Sequence, residues 1–291
     1  MPRTEADKKT VLITGATDGL GRATAILLAQ RGYRVFAGGR SAEKRAQLDA
    51  LAREKAWPLE TLELDVCDDA SVQQGVASVL AKAGSIDILF NNAGVNFSAT
   101  VEDLQLGDWR RQFETNFFGV LRVTQAVLPH MRQRRSGRII MMSSVSGFVT
   151  APTQGAYSSS KFALEALSNA LRLELYPFGI QVVLIEPGYI ITGIQQAALE
   201  LAKPYLNQME TGPYSALYKR FFASVTGARA RSEATPEDCA AVVLRAMEAR
   251  NPKVRYLVTR LAHVAKWCKR LLPDKTVDAI FRRRFGITRR A

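Results

Sequence analysis

Thr10-Val11-Leu12-Ile13-Thr14-Gly15-Ala16-Thr17-Asp18-Gly19-Leu20-Gly21 is the stretch on which the fold turns. Its first part, Thr10 to Thr14, is a short apolar and mostly β-branched run, the composition of a buried strand. The glycines follow at once, and a helical pattern runs from Leu20 to Gln30. Strand, tight turn and helix in that order aim backbone N–H groups and the positive end of a helix dipole at one point. Glycine lets a ligand come close to the backbone there, so the turn reads as a cradle for phosphate. Its spacing, G-x-x-x-G-x-G, is one residue longer than the usual dinucleotide fingerprint. A purely structural glycine turn is the other reading.

The same rhythm continues outward. Strand-like Arg34 to Ala37, Leu59 to Leu64 and Ile86 to Phe90 alternate with helical Ala42 to Lys55 and Ala70 to Ala83. A helical region from Leu106 to Arg134, a strand Arg138 to Met142, a helix carrying Tyr157 and a strand Gln181 to Ile185 complete the series. Strands alternating with helices are βαβ units, and right-handed crossovers wind them into a parallel sheet covered on both faces. The expected fold is therefore α/β, a single-domain Rossmann-type doubly wound sheet spanning residues 1–291. A helix opened by Thr235 and Pro236 runs to Ala249, and Val254 to Val258 reads as a last strand.

At the end of the second strand, where a carboxylate would hold both ribose hydroxyls of NAD, the chain reads Ala37-Gly38-Gly39-Arg40-Ser41. A guanidinium forks onto a 2′-phosphate, so Arg40 points to NADP(H) over NAD(H). Arg40 as a solvated loop residue is the alternative, and Asp18, inside the glycine turn, argues against a phosphate.

Tyr157-Ser158-Ser159-Ser160-Lys161 places a phenol and an ammonium at i and i+4, on one side of a helix if Phe162 to Tyr176 continues it. A cation there is expected to lower the tyrosine pKa toward working pH and prepare it for proton transfer to or from an alcohol or carbonyl oxygen. A chance surface pair at this spacing is common.

Taken together, these residues resemble the short-chain dehydrogenase/reductase family over about Lys9 to Thr192. The matching motifs, in order, are Thr14 to Gly21, Asp65-Val66, Asn91-Asn92-Ala93-Gly94, Asn116, Ser144, Tyr157 to Lys161, and Pro187-Gly188 with Thr192. The resemblance implies Tyr157 as general acid in reduction and general base in oxidation, with Ser144 on the same substrate oxygen. Ser143 is its rival. Lys161 would bind the nicotinamide ribose, and Asn116 would hold a water in the proton path. Gly15, Thr17, Asp18, Gly19, Leu20, Gly21, Arg40, Asp65, Val66, Asn91, Ala93, Gly94, Pro187, Gly188 and Thr192 would contact the cofactor, together with Tyr157 and Lys161. No metal is implied. Asp65 as a cap of the following helix and Asn91 as a brace of the sheet edge are structural alternatives.

Substrate choice falls to Gly193 to Ser232, an irregular stretch rich in Leu, Tyr and Phe that reads as a lid over an apolar pocket. The chain is similar to the 17β-hydroxysteroid and retinol dehydrogenase-like branch of the family, which implies a bulky lipophilic carbonyl or alcohol. A 3-oxoacyl-carrier-protein reductase, or a catalytically idle dinucleotide-binding sensor or scaffold, are the competing functions. Family habit implies a homodimer or homotetramer.

Of the net charge of +13, most lies in the tail: Asn251 to Ala291 holds 12 Lys or Arg against two Asp. Leu257, Leu261, Val264, Cys268, Leu271 and Leu272 recur there at helical spacing, with Lys266, Lys269 and Arg270 expected on the opposite side. That basic helical tail, about 259–291, would lie on an anionic membrane or cover the protein's own core. It contains no nucleic-acid recognition module. Cys67, Cys239 and Cys268 have no metal-ligand spacing, and Met1 to Thr10 lacks the apolar core of a signal peptide, so a cytoplasmic protein with at most peripheral membrane contact is expected.

Overall fold

A computed structural model describes residues 9–229 and 234–288. The chain alternates β1 (Thr10–Ile13), α1 (Gly19–Gln30), β2 (Arg34–Gly39), α2 (Ala42–Glu54), β3 (Leu59–Glu63), α3 (Asp69–Ala83) and β4 (Ile88–Asn91). It continues through α4 (Leu106–Phe113), a π-type turn (Glu114–Phe118), α5 (Gly119–Arg134), β5 (Gly137–Met142), α6 (Gly155–Glu174) and β6 (Ile180–Glu186). Then come α7 (Gly193–Ala202), α8 (Leu206–Thr211), α9 (Ser215–Arg229), α10 (Pro236–Glu248), β7 (Arg255–Leu257), α11 (Arg260–Leu271) and α12 (Asp274–Phe285).

The seven strands form one sheet in the order β3-β2-β1-β4-β5-β6-β7, and every pairing is parallel. Alternate strand residues feed opposite layers, as a period of two requires. Val11 and Ile13 join the core under α1, α2 and α10, whereas Leu12 joins the one under α3, α5 and α6. Ile140 and Met142 against Ile139 and Met141 repeat the pattern on β5. Both faces of each central strand are thus apolar, which is why the strands read as continuous hydrophobic runs.

Helix starts follow from local chemistry. Asp18, Ser41 and Asp68 accept hydrogen bonds from the first-turn N–H groups of α1, α2 and α3, and Thr235 with Asp238 forms a reciprocal capping box on α10. The cap of α3 is therefore Asp68, not Asp65.

Three segments depart from the sequence expectation. The helical region 106–134 is two helices joined by the π-type turn around Asn116. Gly193 to Arg229 is helical rather than irregular, with Pro204, Gly212 and Pro213 breaking it into α7, α8 and α9; residues 230–232 of the expected lid lie outside the described residues. The tail is two helices, parted at Pro273. Among the described residues no helix is long and apolar enough to cross a membrane.

Candidate active site

The chain order reverses between β1 and β4, where open α/β sheets bind ligands outside the carboxyl ends of their strands. Gly15 and Ala93 meet at that crevice. Gly15 has φ +62°, and a Cβ on it would sit 2.8 Å from the Ala93 Cα, so a side chain fits neither sterically nor conformationally. The buried Thr14 hydroxyl accepts the N–H groups of Asn92 and Ala93, both at 3.0 Å, and Asn92 donates its amide to the carbonyls of Thr14 and Gly15, also at 3.0 Å each. Those contacts pin the two strand ends together. A Cβ on Gly21 would lie 2.3 Å from the Gly15 carbonyl oxygen, so α1 starts directly against the turn. Gly19 faces Thr192: a Cβ there would be 3.2 Å from the Thr192 Cβ. The cradle is narrow and lined by backbone, which fits a pyrophosphate.

Asp18 caps α1 by accepting the Gly19 N–H at 2.7 Å, and Lys44 of α2 donates to its carboxylate. Burial alone would raise its pKa, but the Lys44 and Gly19 hydrogen bonds and the charges of Lys44 and Arg22 hold it below the ordinary value. Its negative charge at the turn is thus largely answered. Arg40 follows β2 and is exposed, with Asp65 3.8 Å away. A Cβ on Gly39 would fall 2.5 Å from the Thr17 side chain, so a carboxylate residue would not fit at that position without displacing Thr17. Leu20 packs partly buried against the α1 core. Asp65 accepts the Cys67 N–H at 2.9 Å, and the buried Val66 offers its carbonyl to Arg122 at 2.5 Å.

Asn91 turns its amide inward, onto Thr124 at 3.0 Å and the Met141 sulfur at 3.4 Å, and so braces β4 on α5. Gly94 faces Asn116, whose Oδ1 would lie 3.4 Å from a Cβ there. Asn116 is fully buried at the π-type turn: its amide donates to the Val95 carbonyl at 3.0 Å and to Ser160 Oγ at 3.1 Å, and accepts the Val95 N–H at 2.8 Å. Such turns insert one extra residue into a helix and often mark functional positions. Here the insertion aims Asn116 between the β4 loop and α6.

On α6, Tyr157 and Lys161 stand one turn apart, and the Ser144 side chain lies near enough to the Tyr157 phenol to hold its pKa back. Ser144 Oγ also accepts the Ser146 N–H at 3.0 Å, which leaves its own proton free to be donated. Its rival Ser143 is buried with a hydroxyl that has no hydrogen-bond partner, close to the space that a Gly147 Cβ would fill beside Glu165. Lys161 is buried and donates to the Met142 carbonyl at 2.7 Å, with its ammonium 5.7 Å from the centre of the Tyr157 ring.

The expected lowering of the Tyr157 pKa is not what this arrangement produces. Burial pushes the phenol up, and the nearby Ser144 only partly offsets it, while the Lys161 ammonium is directed at the Met142 carbonyl. Burial also drives Lys161 down to about 8, against the pull of Glu165 one turn further along α6. The phenol is therefore a protonated donor at neutral pH.

Pro187 and Gly188 close the site from β6: the Pro187 carbonyl accepts the Val145 N–H at 2.9 Å, and Gly188 abuts Thr259, the cap of α11. Several site residues carried no motif signal. Gln112 is fully buried and bridges Val95 and Phe97, at 2.7 and 2.9 Å. Thr153 is buried with φ +65° and an unpartnered hydroxyl, a strained position four residues before Tyr157. Glu165 was findable, since it continues the i, i+4 series from Tyr157 and Lys161.

Known proteins resemble this chain in sequence and in fold. The profile of the family described as short chain dehydrogenase matches residues 9–202. The uncharacterized oxidoreductase YbbO of Escherichia coli is 34% identical over 278 residues, 94% of each chain. The 3-ketodihydrosphingosine reductase of Bacteroides thetaiotaomicron is 40% identical over 63% of this chain and 64% of its own, and human retinol dehydrogenase 8 is 39% identical over 64% and 60%. Among solved structures, a short chain dehydrogenase/reductase from Burkholderia phymatum in complex with NAD superposes with a TM-score of 0.77 at 26% identity, covering 95% of this chain and 96% of that one. A gluconate 5-dehydrogenase from Burkholderia cenocepacia in complex with NADP gives 0.66 at 27% identity, covering 81% and 87%.

Proposed function

The chain belongs to the short-chain dehydrogenase/reductase family of oxidoreductases, which interconvert alcohols and carbonyls with NAD(P), and on that premise we propose that it is an NADP(H)-dependent enzyme acting on a bulky lipophilic substrate. The observation that carries the chemistry is the buried Lys161 ammonium 5.7 Å from the centre of the Tyr157 ring, with Ser144 beside the phenol. NADP(H), when bound, supplies or accepts the hydride. The chain's own work is to hold the substrate oxygen and move a proton. Tyr157 donates its phenolic proton to the carbonyl oxygen in reduction and takes it back in oxidation, while Ser144 hydrogen-bonds the same oxygen and stabilises the charge that develops on it. Lys161 holds the nicotinamide ribose and supplies positive charge beneath the phenolate formed in turnover. Asn116 fixes Val95 and Ser160 around this centre and holds a water in the proton path.

The preference for NADP(H) rests on Arg40 and Lys44 beside the cradle and on the lack of room for a side chain at Gly39. The glycine turn, Asp65 with Val66, Ala93 with Gly94, and Pro187, Gly188 and Thr192 form the remaining walls of the cofactor cleft in this reading. A lipophilic substrate is supported by α7, α8 and α9, which lay Ala202, Tyr205, Met209 and Tyr218 over Phe97, Leu104 and Ala156 at the start of α6. Two relatives carry names of enzymes for a ketodihydrosphingosine and a retinol. In this reading residues 193–229 serve as the lid of a single catalytic domain, and exposed Phe118, Phe162, Leu173 and Tyr176 on and beside α5 and α6 suit a helix-to-helix homo-oligomer.

Purified protein assayed for NADPH oxidation with long-chain, retinoid, steroid and small polar carbonyls tests the reading. Turnover of the lipophilic carbonyls, abolished in Tyr157→Phe, is the expected result. Equal cofactor consumption by wild type and Tyr157→Phe would remove the catalytic assignment, and turnover of small polar carbonyls alone would remove the lipophilic one.

A further inference from the structure

α11 lies against the protein by its polar side. Its inward residues are the buried Ala262 and the half-buried Lys266, whose ammonium is 2.9 Å from the fully buried Glu186 carboxylate and 4.2 Å from the centre of the Phe148 ring. The apolar stripe points the other way. Leu261, Val264, Trp267 and Leu271 are 47, 57, 58 and 69% exposed, and at steps of three or four residues they form one continuous row. On and beyond α12, Ile280 and Ile287 are exposed as well. Exposed basic residues stand on the same two helices, Arg260 and Arg270 on α11 and Lys275, Arg282 and Arg283 on α12, with the Arg270 guanidinium 5.9 Å from the Trp267 ring centre. Of the two acidic residues of the tail, Asp274 is already paired with Lys269.

We propose that this outward face of α11 docks on an anionic lipid bilayer. A water-soluble amphipathic helix normally hides such a stripe in its own core. Here Lys266 and Glu186 lock the helix in the opposite rotation, so its apolar row is left for an outside surface. That surface must tolerate a tail with 12 basic residues against two acidic ones. A second copy meets the requirement badly, because a two-fold contact through α11 would bring two such tails together. Anionic headgroups meet it directly: the bilayer takes up Leu, Val and Trp side chains at the headgroup boundary while Arg and Lys reach the phosphates. Docking stands on the tail alone. Only its use, admitting a lipophilic substrate from the bilayer, rests on the function proposed above; Thr259 against Gly188 and Lys266 over Phe148 place α11 beside the loop that follows Ser144.

The test is co-sedimentation of the full chain with vesicles of phosphatidylcholine, with and without phosphatidylglycerol, at low and high salt. Wild type is expected to bind the anionic vesicles at low salt and to be released by salt. Trp267→Ser/Leu271→Ser lowers that binding by about tenfold or more with unchanged thermal unfolding and unchanged turnover of a water-soluble carbonyl. Arg270→Glu/Arg283→Glu, which leaves the apolar row intact, removes the preference for anionic over neutral vesicles. The proposal is overturned if wild type ignores anionic vesicles at low salt or if both double variants bind as wild type does. It is equally overturned if sedimentation velocity shows a dimer that Trp267→Ser/Leu271→Ser dissociates while no vesicles are bound. Vesicle binding is read without turnover, so failure of the proposed reaction leaves this result legible.

Discussion

Replacing Lys161 by Met separates its cost to the fold from its use in catalysis. The ammonium is buried, and its pKa falls to about 8 in the folded protein, against roughly 10.4 in an unfolded chain. Between those values the unfolded chain holds the proton more tightly, so the stability of wild type rises with pH across that window. At about 1.36 kcal/mol per pKa unit the whole effect is about 3 kcal/mol, of which about 2 kcal/mol is recovered between roughly pH 7 and 9.5. Methionine fills similar space without the charge, but it leaves the Met142 carbonyl without the 2.7 Å hydrogen bond from the lysine, a loss of about 1–3 kcal/mol. The cofactor-free variant is therefore expected to be as stable as wild type or slightly more stable at neutral pH, and catalytically dead. The discriminating quantity is the pH slope. Urea unfolding of both proteins at the two pH values should show wild type gaining about 2 kcal/mol relative to the variant. The window stops below roughly pH 10 because Tyr157, whose pKa is raised on folding, would there begin to lower stability with rising pH. A stability difference that does not change with pH would refute the buried, destabilised ammonium.

Three further outcomes follow from the site. Arg40→Ala should reduce kcat/KM with NADPH by about 10- to 100-fold, the value of a charge-assisted phosphate contact, and barely change it with NADH; steady-state kinetics with both cofactors decides. Ser144→Ala should lower kcat by about 100- to 1000-fold, as loss of a donor to a developing oxyanion does, whereas Ser143→Ala, which removes an unpartnered hydroxyl, leaves kcat close to wild type. Gly15→Ala meets both positive φ and the Ala93 backbone, so thermal unfolding should fall by about 2–4 °C per kcal/mol of strain and NADPH affinity, by fluorescence titration, should fall with it.

The doubly wound sheet was legible because its strands end in turn signals and the helices α1, α2, α3 and α6 between them repeat at their own period. The candidate trio of Ser144, Tyr157 and Lys161 was legible through the family resemblance, since the Tyr157–Lys161 spacing alone also fits a chance pair. What spacing does not carry is direction. Tyr157 and Lys161 at i and i+4 had to be neighbours, yet which atom the ammonium reaches depends on the Met142 carbonyl, which arrives from β5. Asn116 sat inside an apparently continuous helix because a π-type turn changes hydrogen bonding without changing residue type. Helices α7, α8 and α9 were hidden by Pro204, Gly212 and Pro213, which interrupt their periodicity every few residues without abolishing it. In the tail, the hydrophobic stripe of α11 was visible, but periodicity does not say what a stripe faces.

The orientation of α11 follows from the site itself. Glu186 ends β6 with no solvent exposure, and burial raises its pKa despite Lys266 and Arg255. A buried carboxylate needs cationic partners, because an unpaired charge in low dielectric is far costlier than a paired one. Arg255 of β7 supplies one at 3.1 Å but also binds Glu165, at 2.9 Å, so it is shared between two acids. Glu165 in turn faces Lys161 along α6 and favours its charged form. The row from Lys161 through Glu165, Arg255 and Glu186 thus lacks one cation at its outer end, and Lys266 fills that place. A lysine placed there turns the opposite side of α11, with Leu261, Val264, Trp267 and Leu271, to the outside. The charge balance beside Lys161 and the apolar outer face of the tail both follow from the Lys266–Glu186 ion pair.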